Sequence, residues 1–203
     1  MSSMTSQREL QDVLSELLPT QGGWDEEEYL WLTDRSNHLI EFTDGYIEVL
    51  PMPTRKHQKI LRLLIYTFLG HLQPRGGDVL FAPFRLRLRQ GKLREPDLLA
   101  LLDKDDQRSQ ERYWTGADLV LEVVSPDKPE RDLVEKRREY AEAGIPEYWI
   151  VNPFDETITV LTSGNDPTAT RYAEHSIFGR GQRATSPLLA GFGVAVDAVF
   201  DAE

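Results

Sequence analysis

The stretch "LVLEVVSPD", residues 119–127, decides the fold. Its first six residues are leucine and valine apart from one carboxylate, Glu122. Side chains alternate along a strand, so Val120, Glu122 and Val124 share one face while Leu119, Leu121 and Val123 share the other. Both faces are apolar, the pattern of an interior strand covered on both sides. An ionised carboxylate there costs several kcal/mol unless a cation, a metal or a set of donors compensates it. The segment therefore predicts a central strand with a charged group opposite Glu122.

Working outward, "PDLLALL" (96–102) reads as the preceding strand, with Asp97 at its start beside Pro96, a residue suited to strand ends. On the other side, "SPDKP" (125–129) leads into a helix that ends at Gly144; Asp127 and Glu130 have capping-box spacing and Pro129 sits in the first turn. On that helix Asp132, Lys136 and Tyr140 recur every four residues and line one face. If the helix packs back on the sheet, Lys136 approaches Glu122. Farther out, "PEYWIV" (146–151) and "TITVL" (157–161) read as strands, and "SPLLAGFGVAVDAVF" (186–200) as mixed strand and short helix.

Upstream, "HLIEFTDGYIEVLPMP" (38–53) is a hairpin about Asp44-Gly45. Ile60, Leu61, Leu64, Ile65, Phe68 and Leu72 then form an apolar helical stripe that "QPRGG" (73–77) ends. "DVLFAP" (78–83) and "FRLRLRQ" (84–90) are two further strands before a turn at Gln90-Gly91-Lys92. Hairpin, helix, strands, helix, strand is the order of an α/β or α+β sandwich around a mixed sheet.

At 203 residues, with 40% hydrophobic and 28% charged side chains, the chain suits one domain over residues 24–203. Residues 1–23 are then an accessory helix, over Arg8–Leu18, and a linker. The absence of cysteine removes disulfides, thiolate metal sites and cysteine nucleophiles, and fits a reducing cytoplasm. "MSSMTSQREL" lacks the features of a signal peptide, and the apolar stretch Leu63–Leu69 falls short of the ~20 residues of a membrane span, so a soluble protein without a membrane partner is expected. A net charge of −11 argues against indiscriminate coating of nucleic acid, although a local basic strip can still bind phosphate.

Two carboxylates and an amine at a broken strand end have a specific chemical use. Paired Asp and Glu oxygens suit Mg²⁺ or Mn²⁺ and leave positions for water and phosphate. A lysine beside them orients or deprotonates water and stabilises charge on phosphorus. Metal-assisted phosphodiester hydrolysis is the implied reaction class. A plain structural ion pair between Glu122 and Lys136 is the alternative.

"EPD" (95–97), "DLVLEVVSPD" (118–127), the D-x-x-x-K-x-x-x-Y pattern at 132–140 and "AGIPEYWIVNP" (143–153) together resemble the Uma-type putative restriction endonucleases of the PD-(D/E)XK nuclease superfamily. "EFTDGYIEVLPMPTRKHQKI" and "SPLLAGF" match as well, so the resemblance spans roughly residues 24–200. It implies a restriction-endonuclease-like fold with an αβββαβ core flanked by helices, and a dication held by Asp97, Glu122 and the Val123 carbonyl. The superfamily pattern wants a lysine two residues after the acid, where this chain has Val124. Members of this family resemble one another in supplying it from the next helix, which maps onto Lys136. The resemblance also places His57 near the site, where it positions substrate or packs locally.

Glu41 is either a further approach to the metal or a cross-strand partner of a cation. Arg85, Arg87, Arg89, Lys92 and Arg94 form a basic strip, read either as phosphate contacts or as a face balanced by the protein's acids. The expected partner is DNA and the expected assembly a homodimer, with the "EYWIV" aromatics at its interface. A catalytically idle nucleic-acid-binding or dimeric scaffolding module that keeps the nuclease fold is the competing expectation.

Overall fold

The computed structural model describes residues 18–164 and 170–203; of the helix expected over Arg8–Leu18, all but Leu18 lies outside them. Among the described residues, the chain runs α1 (Glu26–Thr33), β1 (Ile40–Thr43), β2 (Tyr46–Val49), α2 (Arg55–Leu72), β3 (Asp78–Phe81), β4 (Leu86–Arg89), β5 (Lys92–Arg94), β6 (Leu98–Leu101) and β7 (Leu119–Val123). It continues through α3 (Lys136–Glu142), β8 (Glu147–Asn152), β9 (Thr157–Thr162), β10 (Ala173–Phe178), β11 (Arg183–Thr185), β12 (Gly193–Ala195) and α4 (Val196–Phe200).

The main sheet has the strand order β10-β9-β8-β7-β6-β3, with β7 in its interior. Its pairings are antiparallel except β7 with β8, which α3 joins by a crossover. The two faces of β7 divide as the alternation demands. Leu119, Leu121 and Val123 pack with Leu64 and Phe68 of α2, whereas Val120 and Val124 pack with Tyr140 and Tyr148 on the α3 side. The order α2-β3-β6-β7-α3-β8 is the expected αβββαβ core, a restriction-endonuclease-like mixed sheet covered on both faces.

The strand read in "FRLRLRQ" is present as β4, in a sheet the alternation alone did not name. "FRLRLRQ" does not join this sheet; as β4 it pairs with β5 in a second sheet, order β2-β1-β5-β4. A strand with alternate arginines has one polar face, which a doubly covered sheet would bury at prohibitive cost. In the second sheet those arginines meet acids of α1 instead, Arg87 with Glu26 at 2.9 Å and Arg85 with Asp34, just past its end, at 2.9 Å. The segment Lys92–Arg94, read as following a turn, is itself a strand pairing with both β4 and β1.

The hairpin expected about Asp44-Gly45 joins β1 to β2. Asp44 and Gly45 have φ of 48° and 89°, the two left-handed positions of a tight hairpin turn. A Cβ on Gly45 would lie 2.6 Å from the Gly22 carbonyl oxygen. In α2 Ile60, Leu61, Leu64, Phe68 and Leu72 of the predicted stripe are buried, and Ile65 is half-buried. Thr54 caps this helix, its hydroxyl accepting the His57 amide at 3.2 Å, which fixes where His57 begins.

The helix after β7 opens with a π-helical turn over Arg131–Glu135. It has no side-chain cap, and the Asp127 carboxylate lies 3.5 Å from Arg131 rather than completing the expected capping box. π turns tend to occur where a side chain has been re-aimed for use. Here the Asp132 carbonyl, inside that turn, accepts the Tyr148 hydroxyl at 3.0 Å.

Candidate active site

In β6 and β7, Leu98 lies opposite Leu121, so the same register carried one residue on sets Asp97 against Glu122. The Asp97 amide is 3.4 Å from Glu122 Oε2. Asp97 Oδ2 accepts from the Val123 amide at 2.8 Å and lies 3.0 Å from His57 Nε2. Glu122 is 4% exposed, and its Oε1 accepts from Lys136 Nζ at 2.8 Å and from the Tyr140 hydroxyl at 2.6 Å. Two donors on one oxygen fix that carboxylate in orientation as well as in charge.

Lys136 is held by more than Glu122. Its Nζ lies 3.1 Å from Glu41 Oε1 and 3.6 Å from Asp132 Oδ1. Asp97, Glu122, Asp132, Lys136 and His57 all line one cavity of about 40 Å³, room for an ion or one to two waters. Five sequence-predicted residues thus converge, with Tyr140 behind them. Glu41 stands at the rim of this group, bridging Lys136 and Arg94, the latter at 3.5 Å.

The electrostatics follow from an excess of acids. Burial works against the charge on Lys136, but Glu122, Glu41 and Asp132 outweigh it and hold its pKa well above the lysine range. Burial pushes Glu122 up to about 8; Lys136 opposes the shift, and Asp97 and Asp132 reinforce it. Asp132 is raised too, by burial, with Lys136 again opposing and Asp97 and Glu41 reinforcing. For His57 burial lowers the pKa, yet the bond to Asp97 and the charges of Asp97, Glu122 and Asp132 leave it raised. The lysine is therefore cationic, and the surplus negative charge is met by proton uptake on the acids.

The basic strip comes out differently. Arg89 pairs with Asp44 at 2.6 Å, and Lys92 and Arg94 pair with Glu139 at 2.9 and 2.8 Å. With Arg85 and Arg87 held near α1, each of the five already has a carboxylate. Tyr148 and Trp149 of "EYWIV" are fully buried on opposite faces of β8 and offer no interface; Trp114 is core as well.

Three contributors escaped the sequence reading. Glu95, in the same "EPD", is buried, accepts the Ile40 amide at 3.0 Å and lines the cavity. Arg131 lines it too, and is tied to Glu48 at 2.9 Å. Glu139 clamps the Nε–Nη2 edge of Arg94 with both its oxygens, at 2.8 and 2.9 Å. Their only sequence signal was adjacency to Asp97, Asp132 and Tyr140.

A fit to a dication rests on the donor set. Among the described residues no three His, Cys, Asp or Glu side chains cluster so as to hold a metal ion. Asp97 and Glu122 are two carboxylates rather than three, the complement that Mg²⁺ combines with water and phosphate oxygens. Glu122 and Asp132 are both raised by burial and by neighbouring acids, so the site holds more buried acid than Lys136 alone offsets. The residues present fit such an ion.

A mixed sheet with acids on two adjoining strands and a lysine from the helix behind them defines a protein of the restriction-endonuclease-like nuclease fold. The chain belongs to the Uma2 family, described as "Putative restriction endonuclease", whose model matches residues 26–197. Among solved structures it is similar to one described as a putative nuclease from Anabaena variabilis, with a TM-score of 0.65 and 16% identity over 85% of this chain and 97% of that one. At that identity the likeness shows the fold. No curated protein matches.

Proposed function

We propose that this protein is a nuclease hydrolysing DNA phosphodiester bonds with Mg²⁺ or Mn²⁺, through Asp97, Glu122 and Lys136. The observation that carries the reading is the convergence of three residues distant in sequence, with Val123 donating to Asp97 at 2.8 Å and Lys136 to Glu122 at 2.8 Å. Asp97, Glu122 and the Val123 carbonyl are the oxygens that would hold the ion. When bound, it would polarise the phosphate and acidify a water. Tyr140 and Lys136 orient the Glu122 carboxylate, and His57 orients that of Asp97. Because Lys136 stays protonated, its role is electrostatic stabilisation of charge growing on phosphorus, not proton abstraction. One chain carries all these groups, so the chemistry needs no homodimer. A cysteine-free chain suits work in the cytoplasm.

A second reading, a binding module that keeps the fold without cleaving, draws on one observation: Lys136 is 3% exposed and engaged by three acids. Plasmid nicking with Mg²⁺ or Mn²⁺ separates the two. The nuclease reading expects nicking by the wild type and losses of about 10²-fold or more in Asp97→Ala and Lys136→Ala. Nicking by Asp97→Ala at the wild-type rate would exclude it, and an inert wild type that still binds DNA would favour the second reading.

A further inference from the structure

Arg55, Lys59, Arg62 and Tyr66 follow one another on α2 at steps of four, three and four residues, so they share one face of the helix. Over those residues the helix rises about 16 Å. This face bounds a groove of about 1350 Å³, and Asp97 lines the same groove. The groove thus opens onto the carboxylate that His57 and Val123 orient.

Two properties distinguish this surface from the β4–β5 arginines. First, among the described residues Arg55 and Lys59 have no ion pair, whereas Arg62 hydrogen-bonds a main-chain oxygen of Glu203, another lining residue, at the end of the chain. Arg55 and Lys59 keep their charge available in a protein of net charge −11, and Arg62 extends the same basic face. Second, apolar side chains line the same groove, among them Leu61, Ile65 and Leu69. Tyr66 and Phe81 line it while 71% and 46% exposed, large aromatic surfaces left uncovered beside positive charge.

Cations spaced along a groove that exposed aromatic rings also line match an unpaired nucleic-acid strand, which offers phosphates and open base faces together. Duplex DNA offers phosphates but keeps its base faces stacked inside. We infer that this groove binds a single-stranded DNA segment, its phosphates on Arg55, Lys59 and Arg62 and its bases against Tyr66 and Phe81, leading the strand to Asp97. The inference rests on the nuclease reading only for what happens at Asp97; strand binding stands on the groove alone.

Fluorescence anisotropy tests it on the full chain with a labelled twelve-residue oligothymidine and a duplex of equal length, in chelator so that no strand is cut. The single strand is expected to bind more tightly than the duplex. The triple variant Arg55→Ala/Lys59→Ala/Arg62→Ala, checked for native circular dichroism, should weaken it about tenfold or more and flatten the slope of log affinity against log salt by about 2. Tyr66→Ala should weaken the single strand and leave the duplex unchanged. Preference for duplex, no binding of either probe, or wild-type affinity in the triple variant would each overturn the groove. Cleavage of the same oligothymidine with Mg²⁺ or Mn²⁺ keeps the two readings apart. Binding as described without cleavage removes the nuclease and leaves the groove; cleavage by the triple variant at the wild-type rate and affinity removes the groove and leaves the nuclease.

Discussion

Glu122 reaches its partners because β7 faces α3 with the same alternation that made it conspicuous among valines. Taking away Lys136 would strand Glu122, Glu41 and Asp132 together, and a buried charge cluster deprived of its counter-ion loses about 3–5 kcal/mol. Lys136→Met should accordingly lower the urea midpoint at pH 7. Glu95 gives a second measurable effect. Burial pushes it up to about 8, partly offset by the Ile40 amide and Arg85, so its contribution is fully present below its ordinary value near 4.5 and is lost as pH rises to about 8. Each unit of that shift is worth about 1.4 kcal/mol. Glu95→Gln keeps an acceptor for Ile40, and its stability should therefore decline less than the wild type between pH 5 and 9 in urea titrations. Glu122 was legible in the sequence because an acid among leucines is costly enough to demand partners; Lys136 was singled out by its register with Asp132 and Tyr140, and Asp97 by the family resemblance, since alone it reads as a turn cap after Pro96. Glu95, beside Pro96 with no apolar run around it, sent no such signal, and only the folded neighbourhood reveals its burial.

The elements with strong periodicity formed where the pattern put them: α2 with its apolar stripe, β7 with its two greasy faces, the hairpin at Asp44-Gly45. Gly45 permits a backbone conformation and a contact with Gly22 that no Cβ tolerates. Gly45→Ala should cost about 1–3 kcal/mol, read as a lower thermal midpoint. Other elements were less legible for identifiable reasons. The fate of β4 turned on partners in α1, more than fifty residues earlier, so alternation named a strand without naming its sheet. The acidic run at α1 is polar enough to mask a helix whose buried side is only Tyr29, Leu30 and Thr33. Strands β10 and β11 hold few of the apolar runs by which the others were recognised, and the π turn at Arg131–Glu135 left no mark in the residue spacing.

Across the whole molecule, an overall charge of −11 coexists with a positive strip along α2 and a shortage of positive charge at Asp97 and Glu122. An ion that fills that shortage binds the folded chain alone and must raise its stability, by about 2.7 kcal/mol at a hundred times its dissociation constant. Thermal melts should therefore shift upward with Mg²⁺ or Mn²⁺ in the wild type and stay fixed in Asp97→Ala. Among the described residues no helix is long and apolar enough to cross a membrane. Arg94 ties the parts of this molecule into one piece: its guanidinium grips Glu139 of the helical layer while its other edge donates to Phe42 and Thr43 of the smaller sheet. Either layer assembled without its neighbour would strand an ion in a dry interior. Partly built forms are thereby penalised, and the layers must rise and collapse in concert, a cooperativity written into the ionic joinery and not into the greasy filling.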